Sequence, residues 1–291
     1  MPEVTVTMDN RQPRQAGADE PVTLMLVGGG IRCYAFIGAL RALEEIGVPI
    51  GKIIGASTGS IIAALYAAGM PTAELKRLAL ETDTELFRDF SPRGVFSGMG
   101  ICRGDALERW LDERLGGVCL ADLRRSPLAV ITTDILNHVP FVLSADNAPR
   151  LKVSAAVRFS AAIPFVFAWK KFVVRGKEHV LIDGTLMASV IESQCAEAGK
   201  TLVLRTFSKR SMNHHSSSVM TLRRYAGDLL NIFFHSMDRE FLKGARWKDT
   251  ITIHCGMVPS LSFSVTTDER EFLMEQGYQQ TAKYLRYKWG L

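Results

Sequence analysis

Long apolar runs are missing from this sequence of 291 residues. Segments such as Ile61–Gly69 and Leu229–Phe234 are far shorter than the roughly 20 residues that span a bilayer. The N-terminus has no basic region, apolar core or small-residue cleavage pattern, and Pro2 excludes N-myristoylation. We expect no transmembrane helix, a disordered leader over residues 1–20 and a cytoplasmic chain, with export as a leaderless effector as the alternative.

Cysteine and histidine patterns that hold metals are also missing. The five cysteines are an odd number and include no C-x-x-C pair, which argues against both a disulfide framework and a zinc site. No pair of histidines has the H-E-x-x-H spacing or another ligand spacing. We therefore expect neither a metal nor a cofactor.

The composition excludes the disordered and collagen-like classes, because 47% of the residues are hydrophobic. The charge is uneven: residues 205–248 hold nine Lys or Arg against three Asp or Glu. This excess fits either a solvated helix face or an anionic partner such as a membrane surface. We do not expect a nucleic-acid partner, because no zinc-finger spacing or RNP-like aromatic run accompanies the charge.

Two successive units of strand followed by helix open the folded part of the chain. The apolar run Val22–Val27 ends at three glycines and is followed by a helical pattern that stops at Gly47. A second strand, Lys52–Ala56, is followed by a predicted helix over Ser60–Ala68. Such repeated units are typical of a parallel sheet covered by helices.

The alternation continues to the C-terminus. Helical periodicity runs from Thr72 to Gly117, interrupted by a loop over Phe90–Gly104 that we predict to be a mobile flap. Further strands are predicted over Leu128–Asp134, Val139–Ser144, Phe172–Val174, His179–Ile182, Thr201–Thr206 and Thr250–His254, and further helices over Val153–Phe159, Val219–Trp247 and Thr267–Tyr287. No repeat or flexible linker divides the chain, so we predict one domain over residues 21–291.

A candidate nucleophile lies at the second strand-to-helix turn. Residues 55–59 read G-A-S-T-G, which matches the G-x-S-x-G pattern of a turn that projects a serine oxygen. The helix that follows would direct amide groups and its dipole at a developing negative charge. We predict that Ser57 is the nucleophile; the alternative is a structural helix cap.

A glycine-rich loop follows the first strand. Because the carboxyl ends of parallel strands lie at one edge of a sheet, this loop should lie beside Ser57. Its amides could form an oxyanion hole. Dinucleotide binding would need glycine where Cys33 stands and an acidic residue about 20 positions later, which is missing. A plain tight turn is the remaining alternative.

A nucleophilic serine needs a base, and Asp183 is the best candidate. It follows the predicted strand His179–Ile182 and precedes Gly184. Taken alone, an Asp-Gly pair is typical of a simple turn.

The order of these three motifs resembles the patatin-like phospholipase family, whose pattern is G-G-G-x-R/K-G, then G-x-S-x-G, then D-G-G/A. The resemblance extends from about Val22 to Trp289, and residues 160–165 are similar to the family's Ser-Ala-x-x-Pro turn. It implies a three-layer α/β/α sandwich with a mostly parallel central sheet. It also implies a Ser-Asp dyad that hydrolyses acyl esters of lipids without a metal.

Carried over by position, the resemblance makes Ser57 the nucleophile and Asp183 the base. It assigns the oxyanion hole to the loop Gly28, Gly29, Gly30, Ile31 and Arg32, and we add the amide of Thr58, the residue after the predicted nucleophile. Arg32 could also hold a lipid phosphate. The chain departs from the family pattern at Cys33, where the loop has its last glycine, and at Thr185, where Gly or Ala is usual.

The resemblance implies a phospholipase A or lysophospholipase that binds phospholipid at a membrane surface. A neutral-lipid esterase, thioesterase or transacylase on the same dyad is an alternative, and so is a catalytically silent lipid-binding module. A Ser-Asp-His triad is a further alternative, because His254 ends a predicted strand downstream of Asp183.

Overall fold

The computed structural model describes residues 20–92, 94, 100–198, 200–208, 225, 228, 232, 250–259 and 264–290. Residues 1–19 of the predicted leader, almost all of the predicted helix Val219–Trp247 and the centre of the predicted flap lie outside the described residues. No described helix combines the length and the apolar character needed to cross a bilayer.

The centre of the molecule is a sheet of eight strands in the order β5-β6-β3-β2-β1-β7-β8, with β4 also paired to β3. The strands are β1 (Val22–Val27), β2 (Ile50–Ala56), β3 (Leu128–Asp134), β4 (Val139–Ser144), β5 (Lys170–Val174), β6 (Lys177–Ile182), β7 (Thr201–Phe207) and β8 (Thr250–His254). Strands β3, β2, β1, β7 and β8 are parallel, and β4, β5 and β6 form the antiparallel side. The predicted mostly parallel sheet is confirmed.

Two strands share one edge of β3. Strand β2 pairs with the first half of β3 in parallel, ending with Ala56 opposite Ile131. Strand β6 pairs with the end of β3 in the antiparallel direction, with Ile182 opposite Thr133. Strands β2 and β6 therefore run toward each other along the same edge.

Helices cover both faces of the sheet. They are α1 (Tyr34–Ile46), α2 (Thr58–Ala67), α3 (Thr72–Glu81), α4 (Asp105–Leu115), α5 (Val153–Ser160), α6 (Ala188–Ala198) and α7 (Thr267–Trp289). One core joins α1, α2, α3, α4, α5 and α7 to one face, whereas a smaller core packs Ala188 and Ile191 of α6 against the other. The predicted α/β/α sandwich is confirmed.

Most predicted elements are present with small changes of boundary. The strands Val22–Val27, Leu128–Asp134, Val139–Ser144 and Thr250–His254 have the predicted bounds. Helix α2 begins at Thr58, directly after Ser57, rather than at Ser60. Helix α6 was not predicted; its Glu192 is buried and paired with Arg205 of β7. Arg205 is thus an interior residue, and only the other eight cations of residues 205–248 are candidates for a basic surface.

Candidate active site

Ser57 stands on a sharp turn between β2 and α2. Its backbone has φ 53° and ψ −135°, a conformation that costs energy in a non-glycine residue and needs support from its surroundings. A Cβ on Gly55 would lie 2.4 Å from Cα of Ser60, and one on Gly59 would lie 2.4 Å from the carbonyl oxygen of Leu26. Both glycines of the motif are therefore required by close packing, as in a nucleophile elbow.

The structure brings Ser57 and Asp183 together. The Ser57 hydroxyl donates a hydrogen bond of 2.6 Å to Oδ2 of Asp183, and both residues are buried. The other oxygen, Oδ1, accepts the amide of Thr185 at 2.8 Å. This second bond fixes the orientation of the carboxylate and leaves Oδ2 directed at the serine. The pair has the distance that direct proton transfer requires.

The environment of Asp183 raises its proton affinity. Burial raises the pKa of this carboxyl from 3.8 to about 6, although hydrogen bonds from Ser57 and Thr185 work to lower it. A carboxylate with a pKa near 6 is still ionised at neutral pH. It is also a stronger base than an exposed aspartate, which suits it to accept the serine proton.

The glycine loop lies against the start of α2. Gly28, Gly29 and Gly30 all have positive φ values, of 62°, 103° and 55°. The Thr58 hydroxyl donates to the carbonyl oxygens of Gly28 and Gly30, at 3.2 and 2.9 Å. These bonds join the loop to the elbow that carries Ser57 and hold the loop carbonyls toward α2.

The amides of the loop are not equally available. Gly28 donates its N–H to Ala56 at 3.1 Å, and Arg32 donates its N–H to Gly29 at 3.0 Å. No described backbone acceptor takes the N–H of Gly29, Gly30, Ile31 or Thr58. The predicted oxyanion set thus narrows to these four amides as candidate donors. Ile31 contributes to the lining of a neighbouring cavity.

Three side chains lie in or beside the glycine loop, those of Arg32, Cys33 and Thr185. The buried guanidinium of Arg32 donates from Nε to the Gly29 carbonyl oxygen at 3.3 Å, so it supports the loop rather than facing a lipid phosphate. Burial raises the pKa of the Cys33 thiol to about 12 and keeps it neutral. The side chain of Thr185 packs against Gly28. A Cβ on Gly28 would lie 3.1 Å from the hydroxyl oxygen of Thr185.

None of the described histidines contacts Ser57 or Asp183. His254 ends β8 on the exposed side and packs edge-on against Phe207, with ring centroids 5.6 Å apart. Strand β8 is three positions from β2 in the sheet, or roughly 14 Å at the usual strand spacing. His179 is buried and lies 2.7 Å from Asp134, a pair that the sequence did not predict. His138 has φ 57° in the turn between β3 and β4, and the other histidines lie outside the described residues.

An apolar cavity of about 190 Å³ lies next to the elbow. Gly30 and Thr58, which flank the candidate site, are part of its lining. The same face of α2 then lines it as far as Leu65, a distance of about 10 Å along the helix. Apolar residues of α1, α3, α4 and the segment after α5 complete the wall: Tyr34, Ile37, Leu75, Leu78, Leu107, Trp110, Ile163, Val166 and Phe167. Among the residues described, no group of His, Cys, Asp or Glu could hold a metal ion.

One buried residue contacts the elbow without having been given a role from the sequence. Ser160, the last residue of α5, accepts the amide of Ser57 at 2.8 Å and donates to the carbonyl oxygen of Ile131 at 2.6 Å. The similarity of residues 160–165 to the Ser-Ala-x-x-Pro turn marked this position. Sequence spacing could not reveal its partner, which lies 103 residues away.

Comparison with known proteins gives a family match over more than half of the chain. Residues 24–194 match the family described as patatin-like phospholipase. The uncharacterized protein YqhO of Bacillus subtilis is 25% identical over 279 residues, which cover 89% of this chain and 96% of YqhO. An uncharacterized NTE family protein of Mycobacterium tuberculosis is 31% identical over 156 residues, or 53% of this chain and 41% of that protein.

Two solved structures share the fold. VipD from Legionella pneumophila superposes with a TM-score of 0.57 at 17% identity, covering 92% of this chain and 67% of VipD. ExoU from the type III secretion system of Pseudomonas aeruginosa, solved in complex with SpcU, gives 0.55 at 18% identity, covering 93% and 53%. At these identities the similarity concerns the fold, and the chain spans about half of ExoU.

Proposed function

The chain belongs to the patatin-like phospholipase family, and on that premise we propose that it is a lipid acyl hydrolase of the phospholipase A or lysophospholipase type. The observation that carries the proposal is the buried hydrogen bond of 2.6 Å from the Ser57 hydroxyl to Asp183. It supplies a nucleophile and its base in one contact, without an intervening histidine.

In the proposed first half-reaction, Asp183 takes the proton of Ser57 while the serine oxygen attacks the ester carbonyl carbon. The negative charge moves to the carbonyl oxygen, where the candidate donors, the amides of Gly29, Gly30, Ile31 and Thr58, stabilise it. The tetrahedral intermediate then collapses. The alcohol leaves with the proton held by Asp183, and the acyl group remains on Ser57 as an ester.

In the second half-reaction, water replaces the alcohol. Asp183 takes a proton from the water as its oxygen attacks the acyl-enzyme, and the same amides hold the charge. Collapse releases the fatty acid and returns the proton to the Ser57 oxygen. A carboxyl with a pKa of about 6 can take up and release this proton near neutral pH.

The apolar cavity supports a lipid as the substrate. A fully extended peptide advances roughly 3.5 Å per residue, and each residue contributes three backbone bonds. An extended acyl chain therefore advances about 1.2 Å per bond. The roughly 10 Å between Thr58 and Leu65 along α2 would therefore receive about eight bonds of an acyl chain. Burial of such a chain supplies binding free energy in proportion to its apolar area.

Exposed apolar residues near this cavity support a membrane surface as the place of action. Leu86, Phe90 and Phe165 are each more than half exposed. Leu86 precedes Phe87 in the sequence, and Phe87 lines the cavity. Phe165 lies two residues after Ile163 and directly before Val166, which also line it. Contact of this rim with lipid would let an acyl chain enter without crossing water, and the eight remaining cations of residues 205–248 would strengthen binding to anionic lipid.

The reaction is tested with phospholipid vesicles incubated with wild type or Ser57→Ala, followed by analysis of released lipids. We expect free fatty acid and lysophospholipid from the wild type alone. Release only from triacylglycerol or thioester substrates would favour the neutral-lipid esterase or the thioesterase. Acyl transfer to a second lipid would favour the transacylase, and binding without any release would favour the silent module.

The membrane contact is tested separately by sedimentation with anionic vesicles. Phe165→Asp should weaken binding, whereas the control Val173→Asp, at a position exposed to 62% on β5, should not. Binding should also weaken as salt rises, because salt screens the cations. Equal binding of both variants at all salt concentrations would contradict the proposed membrane contact.

A further inference from the structure

We propose that Ser160 is a positioning residue for the nucleophile, and that the turn Ser160–Ala162 holds both Ser57 and Asp183 from one short piece of backbone. The inference rests on the roles proposed for these two residues. It adds a third residue, which contacts no substrate atom and acts through the backbone of Ser57.

The hydroxyl of Ser160 uses both of its hydrogen-bonding functions. It accepts the amide of Ser57 at 2.8 Å and donates to the carbonyl oxygen of Ile131 at 2.6 Å, in a site with no solvent exposure. The Ser57 amide is thereby anchored, through one oxygen atom, to the centre of β3. A hydrogen bond made inside the protein is worth more than one in water, because no solvent competes for it.

The positive φ of Ser57 explains why the elbow needs such an anchor. A non-glycine residue stays in this conformation only where the surroundings fix it. Removal of the Ser160 hydroxyl would take this hydrogen-bond partner away from two buried groups, the Ser57 amide and the Ile131 carbonyl. Relaxation of the Ser57 peptide would then rotate its side chain, which must stay 2.6 Å from Asp183.

The same turn also holds the base. Two residues after Ser160, the carbonyl oxygen of Ala162 accepts the amide of Asp183 at 3.0 Å. The backbone of both candidate catalytic residues is therefore bound to one turn. Ala161, between the two attachment points, lines the apolar cavity. An acyl chain in the cavity would touch the segment that sets the distance between nucleophile and base.

The test compares Ser160→Ala with Ser154→Ala. Ser154 is also buried on α5, and its hydroxyl makes one hydrogen bond of 2.8 Å to Asp112, away from the site. For Ser160→Ala we expect kcat on a soluble ester to fall by about 10- to 100-fold with KM little changed, the range for a displaced reacting group. Ser154→Ala should keep kcat, although it too loses a buried hydroxyl.

Two further measurements separate positioning from a general loss of packing. The hydrogen bond from Ser57 works to lower the pKa of Asp183, so its loss should move the acidic limb of the pH–kcat profile to higher pH in Ser160→Ala alone. The Ser57 amide should be protected from hydrogen exchange in the wild type and in Ser154→Ala, but not in Ser160→Ala. Exchange requires no turnover, so it tests the anchor even if the proposed hydrolysis fails.

Unchanged kcat and an unchanged acidic limb in folded Ser160→Ala would overturn the inference, and so would retained protection of the Ser57 amide. If Ser160→Ala does not fold, Ser160→Cys serves in its place, because a thiol is a weaker donor and acceptor of similar size. The same changes are expected in Ser160→Cys, and their absence would again overturn the inference.

Discussion

Ser57 and Asp183 meet opposite the same residue of the central strand, Thr132. The pairing of β2 with β3 ends at Ala56 opposite Ile131, and that of β6 ends at Ile182 opposite Thr133. Ser57 directly follows β2, and Asp183 directly follows β6. Thr132 is the one residue of β3 that lies between the two pairings. Two strands that approach head-on thus bring together side chains that are 126 residues apart.

This geometry places the candidate nucleophile and base on strand ends rather than on long loops. The carbonyl oxygen of Asp183 accepts the hydroxyl of Thr133 at 2.8 Å, which ties the residue after β6 to β3. A Cβ on Gly184 would lie 1.9 Å from the Ile131 carbonyl oxygen, so glycine is required for this close approach. Rigid support of this kind lowers the cost of holding reacting groups in place.

The first prediction separates a dyad from a triad. Asp183→Asn removes the proposed acceptor of the serine proton, so it should reduce ester hydrolysis to the background seen with Ser57→Ala. His254→Ala should keep activity within about tenfold, or roughly 1.4 kcal/mol in activation free energy. The measurement is hydrolysis of a soluble ester, together with labelling by a fluorophosphonate probe.

The probe should label the wild type and His254→Ala but not Ser57→Ala. His254 serves as the control because it ends a strand three positions from β2. A folded His254→Ala protein that neither hydrolyses the ester nor takes up the probe would favour a Ser-Asp-His triad.

The sequence predicted the positions of Ser57 and Asp183 because both follow apolar strands and lie beside glycines, and these are local signals. It did not predict the anchor at Ser160, since that contact depends on how α5 packs on β3. Helix α6 was missed for a related reason. Its buried Glu192 pairs with Arg205, so a charged residue interrupts the apolar face that would have marked the helix.

The second prediction concerns the glycine loop. Gly29 has φ 103°, and a Cβ there would lie 3.0 Å from the Thr206 hydroxyl. Gly29→Ala should therefore displace the amides of Gly29 and Gly30, and loss of one oxyanion donor typically costs 10²- to 10³-fold in kcat. The assay is kcat on the same soluble ester, with the fold checked by circular dichroism.

Gly47→Ala is the matched control for this change. Gly47 also has a left-handed φ, of 82°, but it ends α1 in open space. The Gly47→Ala variant should be less stable than the wild type by about 1 kcal/mol, with an unchanged kcat. Comparable turnover of Gly29→Ala and wild type would show that the loop is only a turn.

The third prediction concerns acyl-chain length. Leu65 lines the cavity about two helical turns beyond Thr58. Leu65→Phe should narrow the cavity and lower kcat/KM for long-chain esters more than for short-chain esters. Leu111→Phe, in the core but outside the cavity lining, should cost stability through overpacking, about 1–3 kcal/mol, without changing the chain-length preference. Identical chain-length profiles for the two variants would contradict the cavity as the acyl site.

The fourth prediction concerns the pH dependence of activity. Asp183 must be ionised to accept the serine proton, and burial raises its pKa to about 6. We therefore expect kcat/KM to rise with pH through about 6 and then to level off. Log kcat/KM measured on a neutral ester from pH 4 to 8 gives this limb directly. A limb centred near 4 would mean that the carboxyl behaves as if exposed.

The last prediction is that Asp183→Asn stabilises the fold while it abolishes activity. The pKa of Asp183 is about 6 when folded and 3.8 in an exposed carboxyl, so the folded state binds more protons between these values. The contribution of Asp183 to the stability of the wild type should therefore fall as pH rises from about 4 through 6, by on the order of 3 kcal/mol. Asparagine carries no charge at any pH. The gain in the free energy of unfolding of Asp183→Asn over the wild type should therefore be small at pH 4 and reach its full size at pH 8. Urea unfolding at both values measures it.

Asp134→Asn is the control of opposite sign. Burial works to raise the pKa of Asp134, but hydrogen bonds from Asn137 and His179 outweigh it, and the pKa is lowered. Its ionised form therefore contributes stability above the ordinary pKa, and that contribution is lost as pH falls. Asp134→Asn should destabilise the protein at pH 8, whereas Asp183→Asn stabilises it. If Asp183→Asn were equally stable relative to wild type at pH 4 and pH 8, the carboxylate would carry no burial penalty, and the argument for a raised basicity would fail with it.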